Sequence, residues 1–117
     1  MIERIQGKFE GRNKSVAYRE LVFTVATASD DTLEFDEQTK QTLKTLELNL
    51  AELNSSKEQI LSAQVYISDM KNKNKMDEIW CDWIGEDQKN WPQRACLGVA
   101  LEGGIQIEIT LTAVRNI

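Results

Sequence analysis

The sequence predicts an α+β domain in which helices pack on one face of a mixed β-sheet. Three observations carry this expectation. Strand-like runs fill the first third of the chain, an alternating apolar strand stands between two stretches with helical spacing, and two more strand-like runs follow the second helix.

Ile2 to Glu10 is a mixed alternating run, and Gly11-Arg12-Asn13 supplies turn chemistry. Val16 to Ala28 contains the β-rich stretch Leu21-Val22-Phe23-Thr24-Val25, so two or three antiparallel strands are expected here. Ser29-Asp30-Asp31-Thr32 is a polar cluster suited to ending a strand and capping a helix, because its side-chain oxygens accept bonds from unpaired amides. A helix over Asp36 to Leu53 follows from Leu43, Leu46, Leu50 and Leu53, spaced three and four apart, with Lys40, Lys44, Glu47 and Glu52 mainly elsewhere. Asn54-Ser55-Ser56-Lys57 breaks that pattern. Leu61, Ala63, Val65 and Ile67 then alternate with Ser62, Gln64, Tyr66 and Ser68, as in a half-buried strand.

Between Lys71 and Gly85, Met76, Ile79, Trp80 and Trp83 mark a second helical face, with Gly85 as its stop. Ala95 to Leu101 and Ile105 to Val114 flank Glu102-Gly103-Gly104, a glycine pair suited to a hairpin, so these strands are expected to pair antiparallel. In the last strand Ile105, Ile107, Ile109, Leu111 and Ala113 share one face. Gln106, Glu108, Thr110 and Thr112 take the other, which points Glu108 away from the apolar side.

Composition narrows the function. A chain of 117 residues suits a single domain over 1–117, and 41% hydrophobic with 28% charged residues excludes a disordered segment. The apolar stretches fall far short of the roughly 20 residues needed to cross a bilayer, so no membrane partner is expected. The amino terminus, Met1-Ile2-Glu3-Arg4, lacks the layout of a signal peptide, and a cytoplasmic location is expected. Cys81 and Cys96 form no CxxC pair and read as free thiols. A net charge of −5 with scattered Lys and Arg offers phosphate backbones no footprint, which argues against nucleic acid. The chain has no histidine, which removes Ser-His-Asp and Cys-His nucleophile systems and nearly all catalytic zinc sites.

The residues left for chemistry converge on Pro92 to Glu108. Arg94 follows Pro92, the only proline, by two residues, at a strand entrance where no ladder amide is needed. A guanidinium held there can receive a carboxylate through two parallel hydrogen bonds; the alternative is a solvated surface arginine. Glu108 is unexpected at the centre of a strand, and its alternative is a solvent-facing sheet position. Cys96 reads as a small buried apolar residue rather than a nucleophile. Met76, Trp80 and Trp83 read as core, and Asp30-Asp31 as a solvated turn and cap.

Trp91-Pro92-Gln93-Arg94-Ala95-Cys96-Leu97-Gly98-Val99-Ala100-Leu101, followed by Ile107-Glu108-Ile109 and Ala113, resembles the carboxy-terminal signature of the RidA/YjgF reactive-intermediate deaminases, some of which are labelled endoribonuclease L-PSP. Val65-Tyr66-Ile67-Ser68-Asp69-Met70 resembles the family's central strand, and Gln41 to Leu53 its first helix. The resemblance implies a chorismate-mutase-like α+β fold, with two helices on one face of a mixed sheet, assembled as a homotrimer with a site in each cleft between subunits. It implies hydrolysis of small enamines and imines, of the 2-aminoacrylate and 2-iminopropionate type, to 2-oxo acids and ammonia without metal or organic cofactor.

By position, Arg94 would hold the substrate carboxylate, Glu108 would orient or deprotonate the attacking water, and the Cys96 backbone amide would contact the substrate. Where the family's deaminases carry Ser-Gly-Gln on an early strand, this chain has Val25-Ala26-Thr27. Tyr18 falls too close to that strand to match an aromatic residue expected ahead of it. Asp77 stands at a helix position usually occupied by Asn, where a carboxylate facing the cleft would repel an anionic substrate. These departures keep open a second function, a non-catalytic trimeric module that binds small carboxylates such as 2-oxo acids.

Overall fold

The computed structural model covers residues 1–117. Its first three strands, β1 (Ile2–Gln6), β2 (Asn13–Tyr18) and β3 (Leu21–Thr27), form an antiparallel meander. The turn between β2 and β3 is made by Arg19-Glu20, with Arg19 at φ 54°. No Gly, Pro or Asn marks it, and the sequence therefore reads as one run there. Its support is distant in the chain: the Arg115 Nε donates to the Arg19 carbonyl at 2.7 Å and the Arg115 amide to the Glu20 carbonyl at 2.8 Å.

Helix α1 (Phe35–Glu52) follows, then β4 (Ile60–Ile67), α2 (Lys73–Ile84), β5 (Gln93–Gly98) and β6 (Ile107–Val114). The leucine stripe of α1 is buried as its spacing predicts, with Leu46 and Leu50 inaccessible. Gly85 ends α2 at φ 90°, its amide bonded to the Cys81 carbonyl. The Asp30 cluster does not cap α1. Glu34 holds that position without a side-chain bond, while the Asp30 Oδ1 accepts from the Thr32 amide at 3.0 Å and hydroxyl at 2.6 Å, closing a turn ahead of the helix. Those two bonds hold the Asp30 carboxyl below its usual range.

The six strands lie in the order β1-β2-β3-β6-β4-β5, with β4 and β5 parallel and every other neighbour antiparallel. The sheet is mixed, as expected, but the last two strands do not form a hairpin. β4 lies between them, and α2 is the crossover that a parallel β4–β5 pair requires. Burial explains the choice: β6 buries Ile107, Ile109, Leu111 and Ala113 and so belongs in the sheet centre, whereas no residue of β5 is fully buried, which suits an edge. Gly103 still turns the chain, at φ 58°, while Gly104 serves packing. A Cβ on Gly104 would stand 2.4 Å from the Asp31 carbonyl oxygen, so the connector between β5 and β6 passes tightly against the loop before α1.

Both helices cover one face, where Val22, Ala63, Val65, Ile67, Ile107 and Ile109 meet Leu43, Leu46, Leu50 and Met76 in one buried cluster. Full burial of each larger aliphatic side chain contributes roughly 1.5–3 kcal/mol. Leu61 departs from the expected alternation: the register slips between Ile60 and Ser62, so Ile60 is buried in its place and Leu61 is exposed. No helix is long and apolar enough to cross a membrane.

Candidate functional site

β5 begins immediately after Pro92, at the sheet edge where the missing amide leaves no gap in the ladder. The Trp91 indole N–H donates to the Gly85 carbonyl at 2.8 Å and ties the strand entrance to the end of α2. In the parallel register Arg94 lies beside Ala63 and Cys96 beside Val65, both residues of the helix-covered face. Arg94 and Cys96 therefore point toward α2.

There the Arg94 Nη2 donates to the Asp77 Oδ1 at 2.7 Å, and its Nη1 reaches the Met76 Sδ at 3.7 Å. The guanidinium carbon stands 5.4 Å from the centre of the Trp80 ring, a cation–π arrangement over a buried indole. The other Asp77 oxygen accepts from the Lys73 Nζ at 2.8 Å, one helical turn away. Arg94 is thus neither a solvated surface residue nor an empty carboxylate receptor. Its side chain is 20% exposed, and one arm is occupied by Asp77.

Desolvation is the largest single influence on the Asp77 carboxyl and pushes its pKa up. The hydrogen bonds and charges of Lys73 and Arg94 together outweigh it and hold the group below the usual carboxylate range. Burial dominates at Cys96 and raises its thiol, against a smaller opposing pull from Arg94 and Lys73. A protonated thiol agrees with the sequence reading that Cys96 is no nucleophile.

Glu108 is elsewhere. On β6 it lies beside Tyr66 of β4 and Thr27 of β3, between the buried Ile107 and Ile109, and so points to the face that no helix covers. Arg94, level with Ala63, faces the helices and Glu108, level with Tyr66, the open side, and β4 also lies between their strands. The hairpin expectation, which would have set them near one another, fails here. Val25 and Thr27 share the open face with Glu108, so the Val25-Ala26-Thr27 departure neighbours Glu108 rather than Arg94.

The site thus unites three of the four candidate residues, Arg94, Cys96 and Asp77, and adds Lys73, Met76 and Trp80. Lys73 had one legible signal, its spacing of four residues from Asp77. Trp80 and Met76 are core, as their stripe indicates, and the same side chains also floor the guanidinium. Neither of the two main surface hollows contains Arg94. One, of ≈ 520 Å³, lies between α1 and α2 around Leu48 and Trp83; the other, of ≈ 370 Å³, lies on the open sheet face around Phe23 and Thr110.

Residues 15–115 match the family described as Endoribonuclease L-PSP. A RutC family protein of Haemophilus ducreyi is 30% identical over 95 residues, 80% of each chain. Among solved structures, a YjgF-family protein of Neisseria meningitidis is 27% identical with a TM-score of 0.89, over 100% of this chain and 97% of that one. A member of the YjgF/YER057c/UK114 family from Mycobacterium tuberculosis shares the fold at 20% identity, with a TM-score of 0.85 over 97% and 99% of the two chains. With the fold, the Arg94 signature and these likenesses in agreement, the chain belongs to the endoribonuclease L-PSP family, the YjgF/Rid proteins.

Proposed function

We propose that this protein hydrolyses small imino acids to 2-oxo acids and ammonia at a cleft between two copies of the chain. The observation that carries the reading is Arg94, a guanidinium braced by Trp80 and Asp77 whose Nη1 has only the Met76 thioether, a weak acceptor, beside it. That arm is available to a substrate carboxylate. Glu108 of the same chain faces the other side of the sheet, so the carboxylate that orients or deprotonates the water would come from a neighbouring copy.

A bare sheet face with exposed Ile2, Tyr18, Leu21, Phe23 and Leu97 supports self-association, and a homotrimer is the assembly we propose. The chemistry asks little of the protein. Water adds to the electrophilic iminium carbon, a proton passes to nitrogen, and collapse of the carbinolamine expels ammonia and leaves the ketone. The Cys96 backbone amide on the edge strand would contact the substrate. No metal or organic cofactor is needed for these steps.

The experiment generates 2-iminopropionate with an amino-acid oxidase and follows its decay with native protein, Arg94→Ala and Glu108→Gln. Faster decay with native protein, lost in both variants, is expected; no acceleration by native protein refutes the proposal. A second reading is favoured by the Arg94–Asp77 pair and by the absence of a free carboxylate beside it: a non-catalytic module that binds small carboxylates such as 2-oxo acids. Calorimetric binding that disappears in Arg94→Ala, without turnover, would select it.

A further inference from the structure

Two cations and one anion stand at the Arg94 site. Asp77 receives Arg94 on one oxygen at 2.7 Å and Lys73 on the other at 2.8 Å, which leaves the cluster with one net positive charge. The other groups around the guanidinium, the Trp80 ring and the Met76 thioether, are neutral. Asp77 is anchored from both sides and lies one third exposed, so it stays beside any ligand that takes the Nη1 arm.

We propose that Asp77 sets the substrate class, restricting the Arg94 site to monoanions: acids with a single carboxylate and a neutral or cationic remainder. The proposal rests on the reading of Arg94 as the carboxylate holder. One ligand carboxylate matches the net charge of the cluster. A second carboxylate on the same ligand meets the Asp77 oxygens with no unpaired cation to offset it. An imino acid with an apolar side chain suits such a site, because its iminium group is attracted by the carboxylate that repels a second anion.

Calorimetry on the native protein, Asp77→Asn and Lys73→Gln, with pyruvate and 2-oxoglutarate as probes, tests this. Native protein is expected to bind pyruvate about threefold more tightly than 2-oxoglutarate. Removing the Asp77 charge acts once on pyruvate and twice on 2-oxoglutarate, so Asp77→Asn should tighten them by about threefold and about tenfold. Lys73→Gln should weaken both, 2-oxoglutarate more.

Equal factors for the two anions in Asp77→Asn, or native protein that binds both equally, overturn the proposal. If Asp77→Asn does not fold, Lys73→Gln decides, since equal weakening of both anions is then the refuting result. Native protein that binds neither anion overturns the Arg94 reading itself, and that outcome is distinct from equal binding.

Discussion

Gln38 is the side chain whose replacement should most clearly loosen the connector that joins β5 to β6. It is fully buried in the first turns of α1, and its amide bridges two loops far apart in the chain. The Nε2 donates to the Gly104 carbonyl at 2.9 Å and the Leu33 carbonyl at 3.1 Å, while the Oε1 accepts from the Gln106 amide at 3.0 Å. Gln38→Leu keeps the volume and removes every bond. The Leu33 carbonyl retains the Gln106 Nε2, so the Gly104 carbonyl and the Gln106 amide lose their partners, and the Asp31 carbonyl loses a longer contact at 3.4 Å. Each unpaired buried group costs about 1–3 kcal/mol, and these two lie near the surface, so the sum is about 2 kcal/mol.

Against a typical stability of roughly 5–15 kcal/mol that loss is readily measured. It corresponds to a fall in Tm of about 8 °C for a chain of this length. Urea denaturation followed by tryptophan fluorescence should show a lower midpoint at unchanged slope. Amide exchange at Gln106 should accelerate more than exchange in the β3–β6 ladder. A stability change below about 0.5 kcal/mol, or slow exchange retained at Gln106, would refute the account of Gln38 as the tie between these loops.

Two glycines should respond differently to a methyl group. A Cβ at Gly104 meets the Asp31 backbone oxygen at 2.4 Å, whereas one at Gly98 meets the Met70 Cγ at 2.6 Å, part of a flexible and exposed side chain. Gly104→Ala should therefore lose about 1–3 kcal/mol and Gly98→Ala much less, by thermal denaturation of both variants. Because the Asp77 carboxyl lies below its usual range in the folded chain, its stabilisation is present above the unfolded value of about 4 and is lost as pH falls through the lower folded value. Stability profiles measured from neutral pH to about pH 2 should fall less steeply at the acid end for Asp77→Asn than for native protein. Cys81 is exposed and Cys96 is half-buried with its pKa raised, so a thiol reagent at neutral pH should label one site quickly and the other slowly. In Cys81→Ser only the slow phase should remain.

Both helices, the central strand and the last strand are legible in the sequence, whereas the break between β2 and β3 and the slip at Leu61 are not. Spacing alone indicates the leucine stripe of α1, the Met76–Trp80 face of α2, the Gly85 stop and the outward aim of Glu108, because these follow from the 3.6- and 2-residue periods of a single element. The resemblance in Arg94-Ala95-Cys96 and Ile107-Glu108-Ile109 also points to the family from sequence alone.

Which elements become neighbours depends on packing between distant segments. Gly103-Gly104 has the chemistry of a hairpin, yet β6 enters between β3 and β4 because a strand with one fully apolar face buries more surface at the sheet centre. That choice set β4 between the strands that carry Glu108 and Arg94, two residues that strand alternation directs to opposite faces. The same folding brought Asp77 and Lys73, residues of α2, against a guanidinium that looked solitary in the sequence. Pairing of this kind depends on where α2 crosses from β4 to β5, a contact between segments 17 residues apart that no local period encodes.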